Sequence, residues 1–424
     1  MFLYYMLQRK EAVLIKAAGV VVEYNPFHNG HAYHLQETKN ITDADAVIAV
    51  MSGSFLQRGE PALVSKWART KMALEGGADI VAELPYAFST QKAKTFASGA
   101  VSILDALGAE EICFGSENGK IEPFLSAVHT QNECRQTLNE AIKKHLKEGV
   151  SYPKALSAAY TEIAGFEALD LSQPNNILGF HYTEAIVQQN SRMIPKTIQR
   201  LSAQYHDEAF ATASIASATS IRKHIQSNSL ETASGVMPSS TLRHLHDYHC
   251  TYGLFHGWEK YFSLLKYKLL TMSPAELKQI YETEEGLEHR LLSSIKSAES
   301  FKTFMESIKT KRYTWTRLQR LCLHVLTHTT KEQMKHVPKE ETAPYIRLLG
   351  MSKRGQAYIS QRKKNLSLPL LSNNKSFNHP LLQLDHKASA VYFSILPEPL
   401  RSLALKENYI QHPIRYDEDQ ELFL

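Results

Sequence analysis

The sequence predicts an α/β fold: a doubly wound parallel sheet over residues 17–230, followed by a mostly helical part over residues 231–424. Three observations predict it. Short apolar runs alternate with helix-like segments through the first half, glycine-rich turns close those runs, and beyond residue 230 helical periodicity dominates. At 424 residues the chain exceeds one average core, so two parts are expected.

Residues 1–16 read as an extension ahead of the first strand. The apolar runs 17–22, 46–51, 79–84 and 111–114 each read as a buried parallel strand, and the segments 31–39, 62–76 and 93–107 between them as helices. Residues 121–165 are helical and polar in pattern. Pro174-Asn-Asn-Ile-Leu-Gly179 then opens a helix over 180–189, with an asparagine as the expected N-cap. A short strand at 196–200 leads through Tyr205-His-Asp207 to the string Ser217-Ala-Thr-Ser-Ile-Arg222. In the second part, 261–270, 287–297 and 313–328 carry helical spacing, and Trp258, Tyr313 and Trp315 read as core rather than as stacking surfaces.

Composition narrows the function. No apolar run approaches the roughly 20 residues that cross a bilayer, and the first ten residues carry their charges after an apolar stretch, the reverse of a secretory signal. A cytoplasmic protein is expected, with no membrane or stable protein partner. Cys113, Cys134, Cys250 and Cys322 lie far apart and form no C-x-x-C pair, so buried thiols are expected rather than disulfides or a zinc ribbon. His244-Leu-His246 with His249-Cys250 does not put four ligands on one helix face, so no metal is assigned there. Residues 301–364 hold 15 Lys/Arg against 4 Asp/Glu, a balance suited to a polyanion.

The chemistry concentrates in Asn25-Pro-Phe-His-Asn-Gly-His31, directly after the first strand and opening a helix. Backbone N–H groups and the positive end of a helix dipole at such a turn suit phosphate, and two imidazoles beside them can stabilise charge on an α-phosphate under attack. The hydroxyl-rich Ser217–Arg222 string would grip the outer phosphates. A P-loop is absent, and so is the G-x-G-x-x-G of dinucleotide dehydrogenases.

Together the H-x-G-H turn and the S-x-T-x-I-R string resemble the nucleotidylyltransferase superfamily. Glu23-Tyr-Asn-Pro-Phe-His-Asn-Gly-His31, Gln57-Arg-Gly-Glu-Pro61, Glu83-Leu-Pro85, Phe114-Gly-Ser-Glu117, Pro174-Asn-Asn-Ile-Leu-Gly179, Tyr205-His-Asp207, Arg347-Leu-Leu-Gly-Met-Ser-Lys353 and Leu384-Asp-His-Lys-Ala-Ser-Ala-Val-Tyr392 look like the bacterial tRNA(Met) cytidine acetate ligase family. The resemblance covers nearly all of the chain from Gly19. It implies a nucleotidylyltransferase-type (Rossmann-like) catalytic domain at 17–230 and a tRNA-binding domain at 231–424, activation of acetate by ATP as acetyl-adenylate, and acetyl transfer to N4 of the wobble cytidine of elongator tRNA(Met).

By the same resemblance His28 and His31 are catalytic. Val21, Val22, Glu23, Tyr24, Asn25, Pro26, Phe27, Asn29, Gly30, His34, Gly115, Asn175 or Asn176, Arg200, Ser220 and Arg222 line the ATP site. Mg2+ is expected to accompany ATP, although no carboxylate declares itself a ligand. For tRNA the basic residues Lys309, Lys311, Arg312, Lys353, Arg354, Lys363 and Lys364 are the candidates. Arg58, Lys66 and Arg69 are candidates to neutralise phosphate or tRNA backbone, with a solvated helix face as the alternative for Lys66 and Arg69. The alternative is an adenylyltransferase that builds a nucleotide cofactor from ATP and a small phosphorylated substrate.

Overall fold

The computed structural model describes residues 14–150, 152–165, 169–200, 216–227, 230–284, 286–372 and 377–424. Most of the N-terminal extension and the Tyr205-His-Asp207 string therefore lie outside the described residues.

The first five strands are β1 (Ala17–Val22), β2 (Ala46–Ser52), β3 (Ile80–Leu84), β4 (Glu111–Ser116) and β5 (Ile194–Gln199). They lie in the order β5-β4-β1-β2-β3, all parallel. The apolar runs form strands because both faces are covered, which removes the need for polar alternation. Along β2, Ala46, Ile48 and Val50 enter one core, while Val47, Ala49 and Met51 enter the core on the other face. Helices α1 (Asn29–Thr42) and α2 (Lys66–Glu75) cover the second face, through Leu35, Trp67 and Met72. Helices α3 (Ala93–Leu107) and α4 (Pro174–Gln188) cover the first, through Phe96, Leu104 and Phe180. From β1 the chain winds outward to β2 and β3, then returns to place β4 on the other flank of β1. The order thus reverses between β1 and β4, and ligand crevices of doubly wound sheets open at that point, beyond the carboxyl ends.

The part expected to be mostly helical also supplies strands. After α5 (Ala218–Ser227), which still belongs to the first part, helices α6 (Ser239–Tyr252), α7 (Trp258–Thr271) and α8 (Trp315–Leu326) are followed by β6 (Ile346–Ser352), which pairs antiparallel with β3. Then come α9 (Lys353–Arg362), β7 (Leu370–Leu371), α10 (Pro380–Phe393), β8 (Ile414–Asp417) and β9 (Leu422–Phe423). β7 and β8 both pair with β6, so among the described residues one sheet of nine strands runs across both parts.

A buried ionic seam joins β3 to β6. The ammonium of Lys66 donates to both oxygens of Glu83 at 2.8 Å, and Arg347 of β6 pairs with the same carboxylate at 3.1 Å. Nearby, Asp385 of α10 accepts the Tyr345 hydroxyl at 2.6 Å and the Tyr86 N–H at 2.7 Å. Its carboxyl is pushed up to about 6, first by burial and then by the Glu83 charge.

Candidate active site at the switch point of the sheet

Past Val22 the chain turns through a cis Asn25–Pro26 peptide and enters α1 with His28 as N-cap. Two reciprocal bonds close the turn: the Gly30 N–H donates to His28 Nδ1 at 3.1 Å, and the His28 N–H donates to His31 Nδ1 at 3.3 Å. The imidazoles stack with centroids 3.7 Å apart. Because each Nδ1 accepts, the proton of each neutral ring sits on Nε2. Burial, helped by Arg200 and Arg222, pushes His28 down to about 3, and burial with His28 beside it drives His31 well below the usual imidazole range. The site therefore presents two neutral Nε2–H donors at a helix N-terminus. Such donors can hold a phosphate oxygen without a mobile charge of their own.

The other expected residues of the turn divide into packing and polar groups. Val22, Pro26, Tyr24 and Phe27 are buried, and the last two pack their rings on His31 at centroid distances of 4.9 and 5.7 Å, Tyr24 edge-on and Phe27 tilted. These four and half-buried Val21 shape the turn from within the fold. The Asn25 side-chain oxygen accepts the Leu63 N–H at 2.7 Å, and Asn29 donates to the Gly235 carbonyl at 3.2 Å. His34, one turn into α1, is lowered to about 4 by burial and Arg200, and its Nε2 is buried without a hydrogen-bond partner. Glu23 accepts the Gln57 N–H at 2.8 Å, and burial raises its carboxyl.

The fold brings the second motif to the first. Ser217 caps α5 by accepting the Ser220 N–H at 3.1 Å, and Arg222 donates to the Asn25 carbonyl and to Glu60, both at 2.9 Å. Across the crevice, a Cβ on Gly115 would stand 3.0 Å from Arg200 Cγ, so any larger residue there pushes the Arg200 side chain aside. Arg200 donates to the Asn175 side-chain oxygen at 3.2 Å.

Four expectations are corrected. The N-cap of α4 is Gln173 and its side chain makes no cap; the helix starts at Pro174, with Asn175 and Asn176 already in its first turn. Glu117 does the capping, its carboxylate accepting the Asn175 N–H at 3.2 Å, the Asn175 side-chain amide at 2.6 Å and the Asn176 N–H at 2.8 Å. The sequence brings Glu117 to notice within Phe114-Gly-Ser-Glu117 but assigns it no role. The available signal was its place just past Gly115, at a strand end facing a helix start. Second, Lys66 and Arg69 meet neither phosphate nor solvent, being 1% and 0% exposed. Lys66 is held by Glu83, and Arg69 donates to the carbonyls of Glu23, Ser52, Gly53 and Val64.

Third, the seven basic residues do not form one surface. α9 lies across the amino ends of the strands, where Tyr358 donates to the carbonyls of Leu107 and Gly108, just before β4. Lys353, Arg354, Lys363 and Lys364 thus sit at the edge opposite the histidines. Lys353 is tied to Asp417 at 2.7 Å and Asp419 at 3.2 Å, while Arg354 donates to the Asp45 carbonyl at 3.1 Å. Lys309, Lys311 and Arg312 are exposed just ahead of α8, on the carboxyl side. Fourth, Trp315 is 38% exposed, whereas Trp258 and Tyr313 are buried as expected. Of the histidine-rich string, His244 faces Glu75 of α2 at 2.8 Å.

No helix among the described residues is long and apolar enough to cross a membrane. The family model described as HIGH Nucleotidyl Transferase matches residues 15–407. The chain is 56% identical, over 393 residues, to tRNA(Met) cytidine acetate ligases of Bacillus cytotoxicus and Bacillus cereus, a match that covers 92% of this chain and 100% of each relative. Crystal structures of Thermotoga maritima TmcAL are similar at 32% identity over 95% of this chain and 99% of theirs, with TM-scores of 0.84 for the form bound with alpha-thio ATP and 0.86 for the apo form.

Proposed function

The chain belongs to the HIGH nucleotidyl transferase family and, within it, to the tRNA(Met) cytidine acetate ligases, and on that premise we propose how its site activates acetate and modifies tRNA(Met). The enzyme is an ATP-dependent ligase. The observation that carries the mechanism is the stacked pair of neutral imidazoles at the β1–β4 switch point, between Arg200 and Arg222.

ATP lies along the α1 N-terminus, with its α-phosphate at the Nε2–H groups of His28 and His31. Arg200, Asn175 and the Gly115 backbone face the nucleoside side of the crevice. Asn29, Gly30, Ser220 and Arg222 face the β- and γ-phosphates, Arg222 exchanging its Glu60 partner for phosphate. An acetate oxygen attacks the α-phosphorus, pyrophosphate leaves, and the two imidazoles donate to the oxygens that gain charge. The N4 amine of the wobble cytidine of elongator tRNA(Met) then attacks the acetyl carbonyl; AMP leaves and the amine loses a proton. The mixed anhydride is itself reactive toward an amine, so no covalent nucleophile on the protein is required. A tRNA substrate places the reaction in the cytoplasm.

Around the turn the described carboxylates are already engaged, Glu23 by Gln57, Glu60 by Arg222 and Glu117 by the α4 N-terminus. Glu60, released when Arg222 turns to phosphate, is the carboxylate that would face a Mg2+ ion travelling with the outer phosphates, and no step above depends on one. In this reading residues 17–230 carry the adenylylation, and the helices after 230 that lie at the carboxyl edge of the sheet, α8 among them, face the tRNA. The cofactor-building alternative leaves those helices without a task, and the similarity to the acetate ligases runs through them.

Acetate-dependent ATP–pyrophosphate exchange tests the first step. The wild type exchanges label only when acetate is present; exchange indifferent to acetate overturns the mechanism. His31→Ala lowers the exchange rate by about 10²–10³-fold, the loss typical of one donor to a developing oxyanion.

A further inference from the structure

Trp315 opens α8 at 38% exposure, while the other two tryptophans, Trp67 and Trp258, are 7% and 8% exposed. The exposed indole is held in place. Its Nε1–H donates to the Gln319 side-chain oxygen at 3.2 Å, and Gln319 in turn donates to the Arg58 carbonyl at 2.9 Å. The next residue, Gly59, has φ +77°, and a Cβ there would stand 2.6 Å from the Arg320 backbone, so loop and helix are in close contact. Trp258 fastens the same loop by donating to the Gly59 carbonyl at 2.9 Å. Two residues before Gly59, the Gln57 N–H donates to Glu23, just past β1. A continuous chain of contacts therefore sets the indole relative to the histidine turn.

The surroundings are cationic. Arg58, Lys309, Lys311 and Arg312 are exposed, and the Tyr313 ring lies 5.3 Å from the Arg312 guanidinium and 4.9 Å from that of Arg317, which pairs with Glu284. A fixed, solvent-facing aromatic among cations is the chemistry that takes unpaired bases of single-stranded RNA, base by stacking and backbone by charge. A protein partner of ordinary composition would leave those cations without counter-charges.

We infer that Trp315 is a stacking platform for an unpaired base of the tRNA next to the cytidine that enters the His28–His31 site, with Arg58, Lys311 and Arg312 on the neighbouring phosphates. This rests on the tRNA reading above.

The test uses the full chain and an anticodon stem-loop of elongator tRNA(Met). Stacking on a base quenches an exposed indole, and Trp315→Ala, which keeps the buried Trp67 and Trp258, supplies the background against which that quenching is read. Wild type quenches as the RNA binds. Trp315→Ala raises the stem-loop Kd and the KM for tRNA about tenfold, within the range set by loss of one stacked base, and keeps the wild-type circular dichroism at the assay temperature. Trp315→Phe keeps a stacking face and stays within about threefold of wild type. Binding without quenching overturns the inference, and so does an alanine variant with wild-type Kd, or a phenylalanine variant as impaired as alanine. If the wild type exchanges pyrophosphate with acetate yet neither binds nor acetylates tRNA(Met), the tRNA reading fails and the platform falls with it.

Discussion

His28, His256 and His324 are 5%, 1% and 0% exposed, and burial pushes each down to about 3. Each is held neutral by its surroundings, His256 between the hydroxyls of Tyr248 and Tyr261, His324 beside Tyr86. The unfolded chain titrates them near 6.5 and so binds more protons than the folded one below that pH. Their stabilisation is complete above about 6.5 and is lost as pH falls from there toward 3. At pH 5.5 each histidine removes about 1.4 kcal/mol, about 4 kcal/mol for the three. The check is a difference between proteins: with urea unfolding at pH 7.5 and 5.5, replacing His256 or His324 by a neutral residue that keeps the fold shrinks the fall by about 1.4 kcal/mol. The His28–His31 turn was readable from sequence because cap, glycine and imidazoles are neighbours in the chain. Lys66 and Arg69 were not, because Glu83 and the carbonyls that bury them belong to other strands and loops.

At the scale of elements, β1 to β4 were legible because strands covered on both faces are uninterrupted apolar runs. β6 was not. Its sequence, Ile346-Arg-Leu-Leu-Gly-Met-Ser352, carries an arginine whose burial depends on Glu83 of β3, and its antiparallel pairing to a strand far earlier in the chain leaves no local mark. The start of α4 shows the same limit: its cap comes from Glu117, 58 residues before Asn175. Glu117→Ala leaves the first N–H groups of α4 without their acceptor, at a cost of about 1–2 kcal/mol in unfolding free energy. It also frees Asn175 from the position in which it meets Arg200. The expected result is a lower urea midpoint together with a KM for ATP raised about tenfold, the equivalent of one lost hydrogen bond of about 1.4 kcal/mol. Destabilisation with an unaltered KM would place Asn175 outside the nucleotide site.

Across the whole molecule, the basic residues that the sequence gathers within 301–364 are divided by the sheet between two edges. β6 runs antiparallel to β3, so the chain leaves it at the amino edge and α9 carries its basic residues there, whereas α8 packs on the loop that follows β2 at the carboxyl edge. Strands of six residues hold those edges about 20 Å apart. A wobble base delivered to the histidine turn brings its adjoining phosphates to the carboxyl edge alone. Reversing Lys311 and Arg312 to glutamate therefore weakens tRNA binding and lowers the slope of log affinity against log salt by about one per lost phosphate contact. The same reversal at Lys363 and Lys364 keeps the wild-type slope, because those ammonium groups point to solvent across the sheet from the site. Equal losses from both pairs, measured by filter binding across a salt series, would mean that the tRNA wraps around the sheet edge and that α9 belongs to the RNA surface.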